Sequence, residues 1–259
     1  MKKFLFMTTY IIFLISMCAC ADIDISAQAK NIVKNYGDAV VSIKAVIEIT
    51  TSYEGETTKR ESKQSATGII INPNGLLATS IGSLNPSEGF SSRMFDFETS
   101  FTQSSEFKDI KVRLADGTEI DYDVKLNDKD LDLMFLLPKA SSDKTFPYID
   151  LNNNTTADIM DTVIVLNRMG IVASHSIAVN TMKIQAIIEK PRKLYSASLT
   201  SIWENIGGPV FSNDGKVIGL VLTKSAPSES DSTSFFDSDM PVIMPAENII
   251  KSSEHIDKK

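Results

Sequence analysis

Along most of the chain, short apolar runs alternate with polar turns. Ala27 to Tyr36 carries apolar residues at Ala29, Ile32 and Val33, and Gly37 follows. That spacing predicts a short helix with a glycine stop. Val40 to Ile49 is rich in Val and Ile, as a strand is. Gly68 to Ile71 runs into Asn72-Pro73-Asn74-Gly75, and Leu76 to Thr79 resumes the run, which predicts strand, turn, strand. Ile110 to Leu114 and Ile120 to Leu126 flank Asp116-Gly117 as a hairpin, and Leu131 to Leu137 is a further strand closed by Pro138.

The same texture returns in Thr162 to Leu166, Ile171 to Val179, Met182 to Ile188, Gly208 to Phe211, Val217 to Leu222 and Val242 to Met244, with a turn at Asn213-Asp214-Gly215. Many short strands with frequent turn signals predict an all-β sandwich or barrels. The polar stretch Lys139 to Thr156 reads as a linker between two halves, which suggests two small barrels. The boundaries expected are an N-terminal barrel over 27–138, the linker over 139–156, a C-terminal barrel over 157–250 and a polar tail over 251–259. Asn85 to Glu106 and the Ser/Asp-rich Ser225 to Asp239 read as solvated loops.

Residues 1–20 have the form of an export leader, with Lys2 and Lys3 ahead of an apolar run that is too short for a membrane span. Met17-Cys18-Ala19-Cys20-Ala21-Asp22 admits two readings. In one, Ala19-Cys20-Ala21 is a small-x-small cleavage site. In the other, Cys20 resembles the lipid-modified cysteine of a bacterial lipoprotein, and the second reading better explains why both cysteines fall here. Either way the expected location is the cell envelope, and the lipoprotein reading gives a membrane anchor through Cys20.

Composition narrows the classes. A chain of 259 residues with 42% apolar and 23% charged residues can bury a core. Its formal charge of −7 argues against a nucleic-acid surface, which needs a basic stripe. With His175, His255, Cys18 and Cys20 as the only soft ligands, a Cys/His zinc site is nearly excluded. The remaining candidate acids, Asp128 and Asp130, or Glu229, Asp231, Asp237 and Asp239, show no recognisable ligand pattern. No cofactor is implied.

Five segments, in order, resemble the HtrA-type branch of the trypsin-like, chymotrypsin-fold serine proteases. Gly68 to Thr79 is similar to the stretch leading into the family's catalytic histidine. Val112 to Gly117, Asp128 and Asp132-Leu133 are similar to the segment ending in its aspartate. Asn205-Ile206-Gly207-Gly208-Pro209 with Asp214 to Gly219 is similar to the nucleophile loop and the hairpin after it, while Asp38 to Ile43 and Met244-Pro245 also fit. The resemblance implies two six-stranded β-barrels with a short N-terminal helix, and it covers the protease unit alone. It also leaves homo-oligomers open, since trimers are common in the family.

The same alignment of motifs puts Gly82 where the family's histidine stands and Ile206 where its serine stands, leaving only Asp132. A serine hydroxyl needs a histidine to take its proton, and the aspartate serves that histidine. Glycine accepts no proton and isoleucine has no nucleophilic atom. The resemblance therefore implies a catalytically degenerate member whose cleft or strand edges hold a peptide or protein partner. Its degenerate oxyanion loop would be Glu204, Asn205, Ile206, Gly207 and Gly208. Glu204, in place of the usual glycine, puts a β-carbon where unusual dihedrals are expected. Ile206 is expected to project toward the old scissile-bond position, and Gly207-Gly208 to allow close approach to substrate. Trp203 reads as core packing.

Two rival classes remain. One is an active peptidase with a relocated nucleophile, drawn from Ser80, Ser83 or Ser201, with Lys44 or Lys224 as a conceivable base. The other is a purely structural lipoprotein. His175 reads as an ordinary strand or loop histidine, because nothing in the sequence places it beside a hydroxyl, and His255 reads as exposed in the charged tail.

Overall fold

The computed structural model describes residues 24–85, 101–140, 144–198, 203–225 and 239–256. Helix α1 (Ile25–Tyr36) begins two residues before the predicted start because Asp24 caps it, accepting hydrogen bonds from the N–H groups of Ser26 and Ala27 at 2.9 and 3.3 Å. The leader with Cys18 and Cys20, together with Ser201, Glu229, Asp231 and Asp237, lies outside the described residues.

Six strands then close into a barrel: β1 (Val40–Tyr53), β2 (Glu56–Ile70), β3 (Leu77–Ser80), β4 (Phe101–Arg113), β5 (Glu119–Asp128) and β6 (Leu133–Pro138), in the order β1-β2-β3-β6-β5-β4. A second set, β7 (Thr162–Arg168), β8 (Ile177–Ile188), β9 (Leu194–Ala197), β10 (Pro209–Phe211), β11 (Val217–Ser225) and β12 (Asp239–Pro245), closes in the order β10-β11-β12-β9-β8-β7. The short helix α2 (Ile81–Leu84) follows β3, and helix α3 (Ala246–Ser253) ends the fold. The expected all-β class with two six-stranded barrels and a short N-terminal helix is what the chain adopts.

Period-2 alternation explains why two barrels form and why they stay together. Val41, Ile43, Ala45 and Ile47 of β1 point into the first barrel with Leu77, Met134 and Leu136. Their strand neighbours Val40, Ala78, Leu133 and Phe135 point the other way, into a shared apolar seam with Leu166, Phe211, Leu220 and Leu222 of the second barrel. Val163, Val165, Ile184, Val221 and Ile243 fill the second barrel's interior. Several strands thus bury both faces. Ile32 of α1 and Ile249 of α3 join the seam, and the Tyr36 ring stacks on Phe211 with centroids 5.0 Å apart.

Several expectations need correction. Asn85 to Glu106 is not wholly loop: Asn85 is buried, its Nδ2 donating to Ser105 Oγ at 2.6 Å, and strand β4 begins at Phe101. The polar run from Glu56 to Ala66 had no strand signature, yet it pairs along β1 down to a turn at Glu54-Gly55, where φ is positive at both residues (49° and 86°). Ile171 to Ala173 is a 3-10 turn at the tip of the β7–β8 hairpin, not strand, and Ile171 and Val172 are 77% and 100% exposed. Residues 251–253 are not tail: they continue α3, and buried Ser252 donates from Oγ to Asp128 Oδ2 at 3.1 Å. Residues 144–156 run extended against both barrels, with Ile149 N–H on the Ile70 carbonyl and Thr155 N–H on that of Val217 (both 2.9 Å).

One polar atom in the first barrel is out of place. The Tyr122 hydroxyl is buried among apolar side chains without a hydrogen-bond partner, and burial raises its pKa far above the ordinary phenol value. Removing a buried, unsatisfied hydroxyl relieves a desolvation penalty of roughly 1–3 kcal/mol. Tyr122→Phe is therefore expected to leave the stability unchanged or raise it by about 1 kcal/mol, read from urea denaturation midpoints.

Candidate functional site

Asp132 sits just before β6 in a left-handed conformation (φ 57°), which turns its carboxylate from the first barrel toward β11 of the second. Oδ1 accepts the Gly82 N–H at 2.7 Å. Oδ2 accepts Ser80 Oγ at 2.6 Å and, from across the seam, both the N–H and the hydroxyl of Thr223 at 2.7 Å. Burial pushes the carboxyl above its ordinary pKa, and these hydrogen bonds pull it back. The carboxylate is a bolt between barrels.

Around it, the other hydroxyls are already engaged. Ser80 is fully buried, and its Oγ caps α2 by accepting the Ser83 N–H at 3.2 Å, while Ser83 Oγ donates to the Ser80 carbonyl at 2.8 Å. Neither is free for attack. A Cβ added to Gly82 would lie 2.8 Å from Thr223 Oγ1 and 3.4 Å from Asp132 Oδ1. Thr223 thus occupies the space a side chain at position 82 would enter. Neither histidine is near: His255 is exposed in the turn after α3, and His175 lies in the β7–β8 loop.

The loop ahead of β10 is a 3-10 turn over Trp203–Asn205. Asn167 Nδ2 donates to the Glu204 carbonyl, and the Thr67 hydroxyl donates in turn to Asn167 Oδ1, so the turn is tied to the first barrel. Buried Asn205 accepts from Asn180 Nδ2 at 2.8 Å through its Oδ1.

One expectation for this loop is overturned: Glu204 is exposed and does not have a positive φ, and in the loop only Gly207 has one (83°). Ile206 packs, half-buried, against the second barrel's core. A Cβ on Gly207 would meet the Thr67 carbonyl oxygen of the first barrel at 2.1 Å, and one on Gly208 the Leu166 carbonyl oxygen within the second barrel at 2.3 Å. Close approach of backbone to backbone is what the two glycines permit here.

Other candidates disperse. Lys44 pairs with Glu119 at 2.7 Å, and Lys224 Nζ donates to the Asp130 carbonyl at 3.2 Å. Asp128 is engaged by Ser252 Oγ and Leu131 N–H, so Asp128 and Asp130 do not converge. His175 is a correction of another kind. The fold brings its Nδ1 within 3.3 Å of Ser42 Oγ, a contact between residues 133 positions apart that no local pattern could disclose.

Two closed barrels meeting at a carboxylate, with a glycine-rich loop opposite, define the two-barrel peptidase architecture. The family described as Trypsin-like peptidase domain matches residues 66–220, and the chain belongs to it. Among solved structures it is similar to the MamO protease domain from Magnetospirillum magneticum in its apo form. That match has a TM-score of 0.50 at 16% identity and covers 84% of this chain and 96% of that one, a likeness of fold. No curated protein matches the chain.

Thr223→Val keeps the backbone donor to Asp132 but removes the hydroxyl, and is expected to cost about 1–2 kcal/mol of stability. Asp132→Ala strands four donors and is expected to cost more, about 3 kcal/mol. Urea denaturation of both variants orders the two losses.

Proposed function

We propose that this chain is an exported, lipid-anchored pseudoprotease of the trypsin-like family, acting by holding a peptide or protein partner. The observation that carries the reading is the Asp132–Thr223 contact. The carboxylate that would orient a catalytic histidine is spent on the seam, and Thr223 fills the space beside Gly82. Ile206, turned into the core, supports the same reading, since that position offers no nucleophilic atom. Cys20 next to Ala19 supports the anchor.

A second reading, hydrolysis by a displaced pair, has one specific observation in its favour, the contact between Ser42 Oγ and His175 Nδ1. Against it, Ser42 is only 6% exposed and lies mid-strand between Thr67 and Arg113, where a substrate carbonyl has no approach.

Incubating the purified protein with unfolded casein and with a fluorophosphonate probe separates the two. The expected outcome is no turnover and no labelled serine. Labelling that maps to Ser42 would favour the displaced pair, and labelling elsewhere would demand another nucleophile; either sinks the pseudoprotease reading. The anchor is tested separately: Cys20→Ala is expected to move the protein from the membrane fraction to the soluble fraction, and an unchanged distribution would refute lipidation.

A further inference from the structure

On the face where the β4–β5 and β7–β8 hairpins approach one another, a polar cavity of about 140 Å³ opens between Arg113, Asp116, Gly117, Arg168, Ser174 and His175. Arg168 is half-buried, and its guanidinium is held by three main-chain carbonyls: Nε to Val40 at 2.7 Å, Nη2 to Gly37 at 2.7 Å and Nη1 to His175 at 3.2 Å. Among the described residues no carboxylate lies within ion-pair distance of it. A cation withdrawn from water without a counter-charge is costly, and such groups are ordinarily paired.

Among the side chains that line the cavity, two guanidinium groups, Arg113 and Arg168, face one carboxylate, Asp116. Arg113 and Lys44 share a single carboxylate, Glu119, at 3.6 and 2.7 Å. Asp38 is near enough for Arg168 to feel its charge but makes no ion pair with it. Asp116 is the acid that lines the cavity, and its Oδ1 is taken up by the Thr118 N–H at 2.9 Å. His175 presents its Nδ1 edge to Ser42, leaving Nε2 as the ring's other hydrogen-bonding atom. Ser174 and His175 are both held at positive φ (54° and 57°), a conformation non-glycine residues take at a cost and one that collects at ligand-binding positions.

We propose that this cavity binds a phosphate-type oxyanion, with Arg168 and Arg113 supplying charge and His175 a ring hydrogen bond. The N–H fork of a guanidinium such as that of Arg113 matches the oxygen spacing of such an ion, while Arg168, its nitrogens already on carbonyls, contributes charge; a volume of about 140 Å³ is large enough to hold the ion. Burial holds the His175 pKa below its usual value, with Arg113, Lys44 and Arg168 adding to the effect and Glu119 opposing it, and a bound anion would raise it.

The test is a titration of the full chain with inorganic phosphate, followed by NMR of the histidine rings at constant ionic strength. His175 is expected to shift saturably, with a dissociation constant of about 1 mM or tighter. Exposed His255, outside the cavity, serves as the internal control and is expected to stay put. Arg113→Gln is expected to weaken binding roughly tenfold. Asp116→Asn, which keeps the oxygen that accepts from Thr118, is expected to tighten it several-fold by removing the opposing charge. Both substitutions sit at the rim of a hairpin, and unchanged far-UV dichroism certifies the fold. Parallel, unsaturated shifts of His175 and His255 would overturn the proposal, as would an affinity indifferent to both substitutions.

Discussion

The Asp132 carboxylate, with donors from both barrels, is the polar tie around which the two halves of this molecule meet. Apolar burial across the seam supplies most of the attraction between the barrels, but burial is non-directional and would tolerate sliding. The Asp132 carboxylate does not. Its donors come from two barrels, at 2.6–2.7 Å, and a charged acceptor makes each of them stronger than a neutral bond. Shifting β11 by one residue would exchange Thr223 for a neighbour that points to the opposite face, stranding a half-buried charge. The carboxylate thereby adds direction to a seam that Thr67–Asn167 and Arg168–Val40 also bridge.

From that point constraint spreads through backbone contacts that leave no room for side chains. Thr79 Oγ1 donates to the Thr67 carbonyl at 2.7 Å, and the same carbonyl abuts Gly207 so closely that any β-carbon there would overlap it. Thr67 also fixes Asn167, which fixes the Glu204 carbonyl. The loop before β10 is therefore positioned by the first barrel, through polar bonds, and by the second, through Ile206 in its core. Changing the loop's backbone would break both attachments together.

The sequence made much of the fold legible because burial follows period 2: Val and Ile runs marked β1, β7 and β11, a Leu-rich run marked β6, and Asn-Gly and Asp-Gly pairs marked turns. It failed where tertiary pairing overrides local preference. Glu56 to Ala66 is polar and exposed, yet β1 supplies its hydrogen-bond partners. Ile171 to Val179 failed in the opposite sense, since its apolar residues cap a hairpin instead of filling a core. At the site, chemistry was readable and direction was not. That positions 82 and 206 lack catalytic atoms is plain from residue identity. That Thr223 enters the space beside Gly82, that Ile206 turns inward, and that Ser42 meets His175 all depend on contacts between residues far apart in the chain.

These contacts make the loss of the proton-transfer apparatus, on the reading proposed above, more than two missing side chains. A side chain at position 82 would begin 2.8 Å from the Thr223 hydroxyl, so that hydroxyl would have to shift, and it is one of the donors to Asp132. A serine at position 206 would leave the core contact of Ile206 unfilled. On that reading each repair disturbs a contact that stands in its place, and one of the groups that would have to move, Thr223, is also a tie between the barrels.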